Sequence, residues 1–451
     1  MISWRDTFPS GSLVWLLLVA ILAPLLATIG YALLLSRSQQ SMAAKLKSGL
    51  VSGIPVIASE LLLCWGLWIY SLSFAPSWGT VPEVDPNDVR PMMSLQEMMA
   101  VEDAKEDIRN SQGRGGVVGS GKFLQFEFVF PMAGAEGPHF TVRRPNYHVP
   151  HILEFLLRWG GAWMILFPLW FTWRQRLSAA RAGVLTILWA TIVYAPVAHA
   201  VWGDGWLEHM GTVDTGGGIT MLAMSAAILA TVRRSPTPAE SDHADLLRLN
   251  LGALLLLAAW SLYFAGLMFR ADARAAMSIV NTLLGTASTI VVWNICNRLV
   301  WKRPTWEGLE IAIVVGVATM ASASAVVLPQ SSMITGGFAG LLTSFWHAWC
   351  RRADDEVSPL RYIGFGAIFG LLATGIFATS NAALNRWDGR PVAGLLEGNT
   401  LQVQWQLAGA GASLVWSFVV SWILFQLMSI GIPRPVLTAS EQDQTDATTS
   451  S

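Results

Sequence analysis

Charge is what this 451-residue chain has least of. Lys, Arg, Asp and Glu together make up 13% of it, against about a quarter in ordinary soluble domains. Neither sign dominates. The 29 Lys and Arg balance the 30 Asp and Glu to a net charge of −1, so electrostatics gives no case for nucleic acid as a partner. Cysteine is nearly missing as well. Cys64, Cys296 and Cys350 have no CxxC spacing and fall in or at the ends of apolar stretches. That excludes a disulfide framework and a cysteine metal site, and leaves them as small core residues. No cofactor and no enzymatic activity are read from the sequence.

What is abundant is apolar. Hydrophobic residues make up 53% and tryptophan occurs 22 times, and the mean hydropathy is +0.47. A bilayer core of about 30 Å needs roughly 20 apolar residues per helix. Eleven candidate spans meet that need: 12–35, 50–74, 150–172, 181–201, 215–232, 247–269, 276–299, 308–328, 332–350, 362–382 and 404–430. The first follows only Arg5 and Asp6 and is long enough to span, so it reads as an uncleaved helix.

Lys and Arg in the short loops set the orientation. One side collects fifteen, among them Arg37, Lys47, Arg174, Arg176, Arg233, Arg234, Lys302, Arg303, Arg351 and Arg352; the other has five, Arg5, Arg270, Arg274, Arg386 and Arg390. The richer side is assigned to the cytoplasm. The N-terminus is then outside and the C-terminus inside, as an odd span count requires. Residues 1–74 hold two spans, 75–149 form an extracytoplasmic insertion, 150–431 hold spans three to eleven, and 432–451 form a polar, disordered cytoplasmic tail. In the insertion, Phe123 to Phe130 ends in period-two alternation that suggests a strand, pairing with Phe140-Thr141-Val142-Arg143.

The most informative stretch is 189–218. A span ends in Tyr194-x-Pro196-x-Ala198-His199-x-x-Trp202-Gly203, a Gly- and Trp-rich loop follows, and Asp214 opens the next span. Further motifs are Ala23-Pro24-x-x-Ala27-x-x-Gly30-Tyr31, Ile69-Tyr70-Ser71-Leu72-Ser73-Phe74, Trp260-x-x-Tyr263-Phe264-Ala265-Gly266-Leu267, Val280-Asn281-Thr282 and Gly364-x-Gly366-x-x-x-Gly370. Together these resemble the Amt/Rh ammonium transporter family. The resemblance implies an all-α integral membrane fold of eleven helices, N-out and C-in, with an inserted outer-face domain. It also implies a homotrimer with one pore per subunit, in a bacterial inner (plasma) membrane.

In that family an outer aromatic site meets ammonium ahead of a pore lined by two facing histidines. A bare cation in hydrocarbon is costly. Aromatic faces offset about 0.5–2 kcal/mol of that cost through cation–π attraction, and paired imidazoles can relay a proton. Carried over residue by residue, Trp202 matches the outer-site Trp, and Tyr263 a gate Phe. Asp214 matches the structural Asp at a helix start, where the dipole favours a carboxylate. Leu267 replaces the outer-site Ser. Leu222 stands where the first pore His belongs, and Ile363 where the second does. The other gate aromatic falls near Gly160–Trp163. Proton relay through Leu222 and Ile363 is impossible.

Other motifs are weaker. Gly116-Val-Val-Gly-Ser-Gly121-Lys122 fits part of a P-loop, but Phe123 follows where Ser or Thr is needed. His139, His148 and His151 precede span three and read as surface histidines rather than metal ligands. His199 reads as a satisfied helix-end histidine. Glu60 lies mid-span and is either functional or a buried structural partner. Glu154 and Arg158 are i, i+4 and can pair. Two functions stay open. One is a channel for ammonia or another small neutral solute. The other is a non-conducting receptor or scaffold using 75–149 to bind a ligand or partner.

Overall fold

A computed structural model describes residues 10–35, 50–75, 117–118, 141–144, 147–203, 205–231, 243–304, 308–352, 359–382 and 391–430. The tail 432–451, the P-loop-like stretch apart from Val117 and Val118, His139, and the expected strand over 123–130 lie outside them.

The described residues are almost entirely helical. In chain order the long helices are α1 (Ser10–Leu35), α2 (Leu50–Cys64), α3 (His151–Arg174), α4 (Ala179–Trp189), α5 (Gly218–Thr231), α6 (His243–Gly266), α7 (Ala273–Ile295), α8 (Leu309–Met320), α9 (Pro329–Arg352), α10 (Pro359–Phe377) and α11 (Leu401–Met428). Three are lengthened by π-helical turns: α2 through Trp65–Ile69 and on to Phe74, α4 through Ala190–Tyr194 and on to Trp202, and α7 through Cys296–Trp301. Among the described residues, eight helical stretches are long and apolar enough to cross a membrane, while α5 and α8 are apolar but shorter.

The bundle is turned inside out relative to a soluble protein. On α11, Gln402, Gln406, Ser413, Ser417 and Ser421 are buried, while Leu407, Val415, Phe418 and Trp422 are exposed. The buried stripe is satisfied by backbone. Gln402 Nε2 donates to Gly211 O at 3.0 Å, Gln406 Nε2 to Val213 O at 2.7 Å, and Ser413 Oγ to Ile219 O at 3.1 Å. Only a solvent without hydrogen-bonding capacity rewards that distribution, and hydrocarbon is one. Helices approach closely where side chains vanish. Between α1 and α6, a β-carbon on Gly30 would meet Gly252 O at 2.8 Å, and one on Gly252 would meet Gly30 O at 2.8 Å. Small residues give membrane helices this contact.

One expectation is corrected. The eighth span does not stay helical to 328: α8 ends at Met320, and residues 321–327 continue as successive turns. The run Ala321-Ser-Ala-Ser-Ala325 is apolar enough to read as helix, but its carbonyls find another partner. Asn281 Nδ2, from α7, donates to Ser324 O and to Val327 O, each at 2.8 Å. This is how broken helices survive at membrane depth, with neighbouring side chains satisfying the freed backbone. The strand expected at 140–143 is present as β1 (Thr141–Arg144); among the described residues it pairs antiparallel with β2 (Tyr147–Pro150), Thr141 opposite Pro150, a neighbour the sequence pattern did not announce. The pairing expected with 123–130 lies outside the described residues.

Candidate functional site

The break at the start of α5 meets the break at the end of α8. Thr215 Oγ1 donates to Ser322 O at 3.0 Å, and a β-carbon on Gly216 would lie 2.3 Å from Ala321 O. Asp214 makes the α5 end possible. It is buried, its Oδ1 accepts from Gly217 N at 2.8 Å and Gly218 N at 2.9 Å, and its Oδ2 accepts from Ile219 N at 2.7 Å. Three otherwise orphaned amides at a helix start are thereby satisfied.

Trp202 is fastened to the same corner, its Nε1 donating to Asp214 O at 2.7 Å. Its ring faces a cation, and that cation belongs to the protein. The guanidinium carbon of Arg158 lies 5.0 Å from the Trp202 ring, 4.9 Å from Phe74 and 5.8 Å from Phe269. Arg158 is buried, and its Nε meets Glu154 Oε1 one helical turn back at 3.4 Å. Phe269 holds its place in a left-handed backbone conformation, φ 57°, which a bulky residue rarely adopts.

Tyr263 sits next along α6, its ring edge-on to Trp260 at 5.7 Å. Its hydroxyl packs on Gly161 of α3, where a β-carbon would lie 1.9 Å away. In the window expected to supply the second gate aromatic, Gly161 therefore faces Tyr263 with no ring. Trp163 turns elsewhere, donating from Nε1 to Thr28 Oγ1 at 2.8 Å and packing against Phe167. Leu267 follows in the turn after α6, buried, its amide donating to Tyr263 O at 3.0 Å.

Deeper in the bundle, Leu222 and Ile363 are both buried in the core shared by α5 and α10. Leu222 Cδ1 would lie 3.7 Å from a β-carbon at Gly364. Ile363 lines a small cavity with Met221, Leu256, Trp260, Val314 and Val317, among others. It has room for about one water. The polar atoms there are Tyr31 Oη and Trp260 Nε1, hydrogen-bonded to each other at 3.2 Å. On α5 it is Met221, not Leu222, that forms the wall.

Residues 174–449 match the family described as the Ammonium Transporter Family. The chain belongs to the ammonium transporter family. The ammonium transporter of Bacillus subtilis is 27% identical over 321 residues, which cover 69% of this chain and 77% of that one. The crystal structure of Saccharomyces cerevisiae Mep2 shares the fold, with a TM-score of 0.72 and 24% identity over 96% of this chain and 88% of that one. A structure titled Sensor Amt Protein shares it too, with a TM-score of 0.66 and 18% identity over 96% of each chain. The ammonium transporter family consists of membrane transport proteins rather than enzymes, and this member is an integral membrane protein.

For this ammonium transporter relative, sequence reasoning missed the occupant of the aromatic site. The i, i+4 pairing of Glu154 and Arg158 was legible; the three rings around the guanidinium come from separate segments and were not. Among the described residues no group of three His, Cys, Asp or Glu could hold a metal. Glu60 is exposed on α2, its Oε2 3.4 Å from where a Gly183 β-carbon would sit, so it is not a buried partner within one subunit. His199 is fully buried near the end of the α4 extension.

Proposed function

We propose that this member of the ammonium transporter family passes a small neutral solute, ammonia by preference, and does not carry ammonium as charge. The carrying observation is the chemistry of the bundle centre. The positions matched to the family's paired histidines are Leu222 and Ile363, and the cavity beside Ile363 is walled by Met221, Leu256, Val314 and Val317, with Tyr31 and Trp260 bonded to each other as its polar side chains. An ion there exchanges its hydration shell for mostly aliphatic carbon at a cost of at least several kcal/mol. A neutral amine forgoes only a few hydrogen bonds. Assembly as a homotrimer in a plasma membrane belongs to the same reading and rests on the family resemblance.

Reconstituted liposomes test it. Flux is expected to rise with pH as neutral ammonia becomes more abundant, without ammonium-evoked current. A robust ammonium current from the unmodified protein overturns the reading. A second reading, a non-conducting receptor or scaffold, has one observation in its favour: the aromatic pocket at Trp202 already holds Arg158. The absence of both flux and current in the same liposomes would decide for it.

A further inference from the structure

We propose that Arg158 is a built-in occupant of the cation site at the Trp202 end of the bundle, a specificity-determining side chain that shuts small cations out. Three aromatic faces, Phe74, Trp202 and Phe269, converge on its guanidinium at 4.9, 5.0 and 5.8 Å. The attraction of an aromatic face depends on charge and distance, not on chemical identity, so faces that suit a guanidinium suit a small cation as well. The site is built rather than accidental. Trp202 is pinned through Nε1 to Asp214 O at 2.7 Å, and Phe269 is held at φ 57°.

Tethering decides the competition. A cation from solution must displace a side chain that cannot diffuse away and whose effective concentration at the rings is therefore high. Its charge gains little there while the guanidinium stays in place, because Arg158 already occupies the three faces and is paired with Glu154. Glu154, 3.4 Å from Arg158 Nε and buried more deeply still, neutralises the guanidinium. The same carboxylate explains what removal of Arg158 would create: an anionic pocket with three aromatic walls, suited to a small ammonium-class cation. The inference shares with the proposed function only the premise that solute meets the protein at the Trp202 end.

The test is a methylammonium titration of the purified full-length protein in detergent, read by calorimetry and by tryptophan fluorescence. The parent is expected to show no saturable binding. Arg158→Gln, which leaves Glu154 in place, is expected to bind at least about tenfold more tightly than the parent. Arg158→Lys, which keeps a tethered cation, is expected to stay closed. Arg158→Met with Glu154→Gln leaves no buried charge alone and serves if the single variant does not fold. It is expected to bind more weakly than Arg158→Gln but above the parent. Saturable binding by the parent that is lost in Trp202→Ala overturns the proposal. So does failure of both opened variants to bind more tightly than the parent. The titration is blind to conduction, so its outcome is separate from that of the liposome currents.

Discussion

The Tyr263 hydroxyl lies so near the backbone of Gly161 that a β-carbon at 161 would stand 1.9 Å from the oxygen and 2.3 Å from Cζ. This contact joins α6 to α3 one turn beyond Arg158 on α3. It fixes the ring between the aromatic site and the Trp260 cavity. A phenol against bare backbone is a packing that only glycine permits, so position 161 holds the Tyr263 ring in place without contributing a side chain.

Gly161→Ala must therefore push the Tyr263 ring aside. Overpacking of this kind costs about 1–3 kcal/mol. The melting temperature of the detergent-solubilised protein should fall. Tyr263→Phe in the same background should recover part of the loss, because the atom in closest conflict is gone. An unchanged melting temperature in Gly161→Ala would show that the ring is not held there.

Asn281 holds the broken end of α8. Its amide donates to Ser324 O and Val327 O, and each carbonyl left without a donor costs about 1–3 kcal/mol. Asn281→Leu is expected to be strongly destabilising. Asn281→Asp, nearly isosteric but without donors, should be at least as damaging. Thermal melting of the three proteins decides the matter; a stable Asn281→Asp protein would mean that the carbonyls have other donors.

The same residue shows how far the sequence could be read. Long apolar runs announced the spans, and Asp214 before a Gly-rich start announced the cap on α5. The break after Met320 was silent, because Ala321-Ser-Ala-Ser-Ala325 carries neither Pro nor a bulky polar residue and its helix is undone by Asn281, some 40 positions earlier. Local pattern cannot report a tertiary donor. Arg158 is a parallel case. Its pairing with Glu154 is a matter of helical spacing, whereas Phe74, Trp202 and Phe269 meet it from three segments far apart in the chain. The strand at 141–144 was anticipated only as a partner for the alternating stretch 123–130, and its pairing with β2 was not legible, since four-residue strands specify pairing weakly.

Orientation rests on the fifteen-to-five Lys and Arg asymmetry and is open to direct labelling. The three native cysteines are buried, so introduced thiols report alone. Leu396→Cys, on an exposed loop position, should react with an impermeant maleimide on intact cells, while Gln175→Cys should react only after permeabilisation. The reverse pattern would invert the molecule and move the Trp202 end to the cytoplasm.

Glu397 gives an acid-side signature. Its Oε1 accepts from Thr379 Oγ1 at 2.5 Å and its Oε2 from Ser380 N at 2.9 Å. These bonds, that of Thr379 first, hold the carboxyl below its ordinary 4.5. A pKa depressed by folding contributes stability above the unfolded value, and that contribution is lost as pH falls through the lower folded one. The group is exposed, so the effect is small. Melting temperatures between pH 3 and 7 should decline on the acid side, and Glu397→Gln should flatten part of that decline. Identical acid limbs in the two proteins would show that the two hydrogen bonds do not persist in solution.

The most consequential prediction concerns the bundle centre. Leu222 and Ile363 offer no proton acceptor, so the unmodified protein should pass no ammonium current. Imidazole is close in volume to the aliphatic side chains it would replace, and volume-conserving changes are the ones cores tolerate best. The double variant Leu222→His with Ile363→His returns two titratable rings to the positions aligned with the family's pair. Leu222 packs toward Gly364, where the absence of a side chain leaves Cδ1 3.7 Å from the missing β-carbon, so a ring at 222 has a glycine to lie against. If the two rings can hydrogen-bond, a proton relay is restored and ammonium-evoked current should appear on solid-supported membranes, at least about tenfold above the parent's background. Either single change should stay silent, because a lone imidazole has no relay partner. Arg158 complicates the readout in a useful way. If the double variant folds and remains electrically silent, adding Arg158→Gln separates the two barriers. Current in the triple variant alone would place the remaining block at the aromatic site. Silence in both folded proteins would refute the alignment of positions 222 and 363 with a conducting pair.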